Sequence, residues 1–206
     1  MLEKPFSQAC ENNKNAILKV LQAELADSRK VLEVGSGTGQ HAVYFSEHLP
    51  HLNWQTSDQA HYHPGIRQWM AESDLPNTRA PLHLDVRDYT WGESLYDAVF
   101  TANSLHIMAL ESAQHFVSQV AKALRDGGCF LAYGPFNYQG AYTSESNARF
   151  DVWLKQQDPL SAIRDFEMLD EVARSGGLKL AGDYTMPANN RLLVWRKPSA
   201  AEEVGT

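Results

Sequence analysis

The chain has 206 residues, 43% hydrophobic and 21% charged, the balance of one soluble globular domain with no need of a second. Its formal charge of −7 comes with no basic run that could neutralise a phosphate backbone, which disfavours nucleic acid and favours small molecules as partners. No stretch approaches the roughly 20 apolar residues that span a bilayer, and the two cysteines, Cys10 and Cys129, can form neither a disulfide framework nor a structural zinc site.

The first thirty residues lack the basic start and apolar centre of a secretory signal, so a cytoplasmic location with free thiols is expected. Within an N-terminal segment 1–29, Ala16, Ile17, Val20, Leu21 and Leu25 recur at helical spacing and predict a leading helix. Lys30 to Gly35 reads as a strand ending in glycines, and Ala42, Phe45 and Leu49 then mark a helix that stops before Pro50. The alternation continues with a strand over Leu52–Ser57, a helix over Gly65–Ser73, a strand over Ala80–Leu84, a buried strand over Tyr96–Thr101 and an amphipathic helix over Leu110–Leu124. Asp126-Gly127-Gly128 is a turn feeding the apolar run Cys129–Tyr133. The stretch 134–165 is too long for a plain connection and should carry function or form a lid. Two last strands, Leu178–Tyr184 and Leu192–Trp195, flank Pro187-Ala188-Asn189-Asn190, and the polar, aperiodic tail 197–206 predicts disorder. The expected architecture is one α/β domain over 1–196: a Rossmann-like, seven-stranded, mostly parallel sheet with helices on both faces and an antiparallel last strand.

Four sites recur at the predicted carboxyl ends of strands. Glu33-Val34-Gly35-Ser36-Gly37-Thr38-Gly39 places three alternating glycines at a strand-to-helix turn, where backbone can approach a ligand and a helix N-terminus exposes unpaired N–H groups. A nicotinamide dinucleotide fingerprint would put its third glycine at Gln40, so the spacing disfavours that fold. The bland alternative is a tight turn with no ligand. Asp58 follows the second strand, where a carboxylate can accept both hydroxyl protons of a ribose. Asp85-Val86 follows the third, suited to an adenine amino group and ring face, or else to a helix cap. Asn103-Ser104-Leu105-His106 follows the fourth, beside the first strand across the topological switch point.

In this order the four sites resemble the cofactor site of class I S-adenosylmethionine-dependent methyltransferases. Nearly the whole chain, Phe6 to Arg196, further resembles the methyltransferase-like 26 family. That resemblance rests on Phe6-Ser7 with Ala9 and Glu11 to Lys14, Gly37 to Ala42, Leu49-Pro50-His51-Leu52 with Trp54-Gln55, Tyr133-Gly134-Pro135-Phe136, Asp158-Pro159, Arg164-Asp165 and Met186 to Asn190. It departs at Asn12, where relatives carry arginine, and at His61-Tyr62-His63, where they are more acidic and proline-rich. The resemblance implies a class I fold and S-adenosylmethionine as cofactor, with S-adenosylhomocysteine as product, and it supplies no acceptor.

The expected cofactor contacts are Glu33, Gly35, Ser36, Gly37, Asp58, Asp85, Val86 and Asn103. His106 is the candidate base, because its loop should face the sulfonium and imidazole titrates near neutrality; a packing histidine is the alternative. Tyr133, Phe136, Asn189 and Asn190 fall at the ends of late strands and should frame a small-molecule acceptor, with Glu11 and Asn13 closing the pocket and 134–165 lining it. Against that stand core packing for the two aromatics and turn formation for the two late asparagines. His61 and His63, with His51 or His83, are poorly spaced for a metal in a segment that precedes a helix, so no metal is expected. The rival functions are a noncatalytic S-adenosylmethionine-binding module acting through a protein partner and, less favoured by the spacing, a nicotinamide-dependent oxidoreductase. Nothing in the sequence sets an oligomeric state.

Overall fold

A computed structural model describes residues 3–199, so most of the tail expected to be disordered lies outside the described residues. The leading helix α1 (Gln8–Glu24) starts well before its apolar spacing does, because Ser7 takes an extended conformation and its side chain accepts the Cys10 N–H as an N-cap. Its buried face carries Ile17, Leu18 and Leu21.

The remaining main elements are β1 (Lys30–Glu33), α2 (Gln40–His48), β2 (Asn53–Asp58), α3 (His63–Ser73), β3 (Thr78–His83), β4 (Tyr96–Ala102), α4 (Leu110–Ala123) and β5 (Leu124–Gly134). After them come β6 (Phe136–Asn137), α5 (Glu145–Gln157), β7 (Arg164–Asp165), α6 (Phe166–Ser175), β8 (Lys179–Met186) and β9 (Asn190–Arg196). The main sheet has seven strands in the order β3-β2-β1-β4-β5-β9-β8. Strands β1 to β5 pair in parallel, whereas β9 runs antiparallel to both β5 and β8. This is the Rossmann-like arrangement the sequence predicts. The stretch 134–165 supplies a helix and the small parallel pair β6-β7, outside the main sheet.

Successive strand residues point to opposite faces, and both faces are buried, so the central strands read as unbroken apolar runs. Val31, Phe100, Leu131 and Val194 pack under α1 and α2 with Ile17, Leu21, Phe45 and Trp54. Leu32, Val99, Phe130 and Trp195 pack under α4 and α6 with Phe116, Val117 and Leu169. The chain leaves β1 toward β2 on one side and reaches β4 on the other, and that reversal opens a crevice at the carboxyl ends of these strands.

Candidate cofactor and acceptor site

The glycine loop sits in that crevice. Gly35, Gly37 and Gly39 have φ values of +78°, +56° and +91°, the left-handed region that glycine enters without strain. Gly39 caps α2, and a Cβ there would stand 3.0 Å from the Ile66 Cα, so only glycine lets α2 begin against α3. The loop is tied to β2, since the N–H groups of Gly35 and Ser36 both donate to the Ser57 carbonyl, at 3.1 and 3.0 Å. Glu33 lies beneath the loop rather than in the crevice, accepting from the Ser36 hydroxyl at 2.8 Å and the Trp54 indole at 3.1 Å. Burial pushes its carboxyl up to about 7.

Two abutting cavities open above the loop, sharing Gly35, Gly37, His61, Tyr62, Ala102 and Asn103. The first, about 460 Å³, lies between the loop, His41 and the N-terminal residues Glu3, Pro5, Ser7 and Cys10. The second, about 600 Å³, is lined by Asp58, Gln59, Asp85, Val86, Ile107 and Met108 among others. Gly37 borders both, and no atom lies within 4 Å of where its Cβ would stand, so a side chain there would enter the crevice. Asn103, also bordering both, holds φ +57° at the end of β4, a conformation an asparagine tolerates and one often found at binding sites. Seven of the eight expected cofactor residues therefore converge on these cavities, Glu33 being the exception.

Asp58 accepts the Gly37 N–H with one oxygen and the Gln59 N–H with the other, each at 2.7 Å, so each oxygen keeps a lone pair free. Burial raises its pKa, opposed by those two bonds. Asp85 is held differently: Arg87 bonds both its oxygens and Gln59 donates to one at 3.0 Å. The Arg87 guanidinium holds the Asp85 carboxyl down at about 2. A ligand amino group can reach a saturated Asp85 only as the mostly exposed Arg87 swings away.

His106 and the six expected acceptor residues do not line either cavity. His106 is buried, edge-on to Phe150 at 5.4 Å between ring centroids, and burial followed by the nearby Arg164 charge lowers its pKa to about 4. It stands with Asn103 over Gly134, where a Cβ would lie 3.6 Å from its Nδ1. Asn13 bonds the His41 ring at 2.7 Å, and Tyr133 hydrogen-bonds Asn13 and Asn190, forming a polar network behind the first cavity. Glu11 accepts from Gln40 and pairs with Lys14, Phe136 is core, and Asn189 donates to Ser146.

Sequence reasoning missed the roof. Trp69 donates to the Pro5 carbonyl at 2.8 Å, Lys4 covers the Trp69 ring and pairs with Glu72, and Gln40 accepts the Ser7 N–H. Gly65 leaves room for Pro5, whose Cγ would be 2.5 Å from a Cβ. It also missed His41, which lines the first cavity and which burial holds down at about 4, against the bond to the Cys10 carbonyl. Its one signal was the Gln40-His41 pair straight after the glycines. His61 lies tilted against Tyr62, both lining the cavities, while His63 turns to the Asp58 carbonyl.

Solved structures of the same fold include methyltransferases. An O-methyltransferase family protein from Burkholderia thailandensis matches with a TM-score of 0.76 and 19% identity, over 91% of this chain and 59% of that one. An O-methyltransferase family 2 protein from Planctomyces limnophilus, solved with apigenin, gives 0.80 and 16% over 92% and 57%. The S-adenosylmethionine-dependent methyltransferase SibL, in its apo form, gives 0.78 and 20% over 92% and 56%. The fold is thus the Rossmann-like methyltransferase fold, and this chain spans less than three fifths of the length of each of these proteins. By sequence the chain belongs to the DUF938 family, described as a protein of unknown function, whose model matches residues 4–197.

Proposed function

We infer that the protein is an S-adenosylmethionine-dependent methyltransferase acting on a small-molecule acceptor and releasing S-adenosylhomocysteine. The observation that carries this reading is the pair of cavities meeting at Gly35, Gly37 and Asn103, with Asp58 and Asp85 along one of them. The residues present fit the cofactor: the open face of Gly37 leaves space for it, and Asp58 keeps acceptor capacity for two ribose hydroxyls. Held by Asp58 and the glycine loop, S-adenosylmethionine would supply a sulfonium-activated methyl group.

The chain contributes binding and alignment, which in such a displacement supply much of the rate. Asp58 and the loop hold the nucleoside and amino-acid parts. The N-terminal roof and His41 shape the acceptor side and exclude water. His106 packs with Asn103 against the end of β5, so its proposed part is positioning rather than contact with the acceptor. The sequence resemblance to the methyltransferase-like 26 family and the acidic surface charge support the same reading, as does the apigenin bound by one structural neighbour.

Calorimetric titration with S-adenosylmethionine, S-adenosylhomocysteine and NADH tests it. Binding of the first two alone is expected; binding of NADH alone, or of none, overturns it.

A further inference from the structure

The motif residues Asp158 and Arg164, the second met so far only as a charge near His106, hold one wall of the larger cavity. Arg164 is 7% exposed, and its guanidinium bonds go to backbone carbonyls: Nε to Leu105 at 3.3 Å, Nη2 to Leu160 at 2.7 Å and to Met108. The same segment adds Ser161 Oγ to the Ile107 carbonyl at 3.1 Å and Ala162 N–H to the His106 carbonyl at 2.9 Å. Asp158 accepts the Leu160 N–H at 2.9 Å. The loop 105–108 and the segment 158–164 are thereby laced into one rigid lip.

That lip carries two large apolar side chains into solvent, Ile107 at 55% and Leu160 at 61% exposed, and both line the cavity that Asp85 and Val86 line. Neighbouring exposed apolar side chains on a fixed backbone at a cavity mouth mark a surface to be covered. A flat ring with apolar faces and a hydrogen-bonding edge is the kind of ligand that suits a mouth with Ile107 and Leu160 on one wall and Asp85 in its lining. We propose that Ile107 and Leu160 clamp the base of an adenine nucleoside, and that Arg164 is the positioning residue that holds the clamp. This rests on the cofactor reading above and gives the insertion a part in cofactor binding.

The test is calorimetry with S-adenosylhomocysteine and with 5′-methylthioadenosine, which keeps the nucleoside and lacks the amino acid. Leu160→Ala and Arg164→Met should each weaken both ligands by about tenfold, the same factor for each, since the clamp touches only the base. The double variant should lose little more than either single one, because both act through the same contact. Arg164→Lys should recover part of the loss. Val120→Ala, a core truncation at the far end of α4, should lower Tm and leave affinity unchanged. If Arg164→Met lowers Tm as Val120→Ala does but binds both ligands like the wild type, Arg164 is structural only and the clamp is wrong. If the wild type binds neither ligand, the cofactor reading falls and the clamp with it.

Discussion

Asp58 serves the loop and the crevice at once. Its two oxygens fix the Gly37 and Gln59 amides, and the residue lines the larger cavity with a lone pair left on each oxygen. Asp58→Ala should therefore weaken S-adenosylhomocysteine binding by the worth of charge-assisted hydrogen bonds, about 1.5–3 kcal/mol, or roughly tenfold to a hundredfold in Kd. Asp58→Asn keeps an acceptor for the Gly37 amide, so a smaller loss in that variant would separate loop geometry from ribose contact. An unchanged Kd in Asp58→Ala would remove this residue from the cofactor site. Gly39 invites a different substitution. With φ +91° and the Ile66 backbone close by, Gly39→Ala should cost about 1–3 kcal/mol in urea unfolding.

The contact between the N-terminal strap and α3 can be broken with one methyl group. Gly65 is helical with no positive φ, so alanine suits its backbone, while the added Cβ collides with the rigid Pro5 ring. Gly65→Ala should leave Tm unchanged or higher and expose the Trp69 indole, seen as a red-shifted emission that a Trp69→Phe background abolishes. The central strands were legible because burial on both faces writes them as apolar runs, and residues that follow strand ends land on the crevice by topology alone. That is why Gly35, Asp58, Val86 and Asn103 all border the cavities. The acceptor set was not legible for the same reason in reverse: Tyr133 lies inside β5, and alternation turns it under α1 and α2, toward Asn13 and away from the cavities. The roof escaped because residues 3–7 have no period and are held by Gln40, Gly65, Trp69 and Glu72, all distant in sequence. In 134–165, α5 is announced by a Ser144 cap, but exposed Val152 and Trp153 blur its apolar face.

The molecule as a whole carries opposed titrations. Glu33, raised to about 7 in the folded chain, binds its proton there at pH values where the unfolded carboxyl has lost it, so it favours folding more as pH falls from 7 toward 4.5. His41 and His106, lowered to about 4 from 6.5, do the reverse: the unfolded chain takes up their protons first, and stability falls as pH drops from 6.5 toward 4. Over that window the carboxyl cancels one of the two histidines. Glu33→Gln keeps the acceptor for Ser36 and Trp54 and removes the titration. The variant should lose stability on acidification more steeply than the wild type, by about 1.4 kcal/mol per pH unit between pH 6.5 and 4.5, in denaturant melts. Parallel curves for the two proteins would place the Glu33 carboxyl in its ordinary range.

The position of β9 has a consequence for how the chain is made. It follows β8 in sequence yet sits between β5 and β8, so β8 has no neighbour in the sheet until residues 190–196 are made. During synthesis the β5 backbone stays open along the side that β9 will cover, an unpaired edge of the kind that recruits other chains. A truncation before Asn190 removes one strand from the sequence and two from the sheet. Chains cut before Asn190 should therefore aggregate through β5.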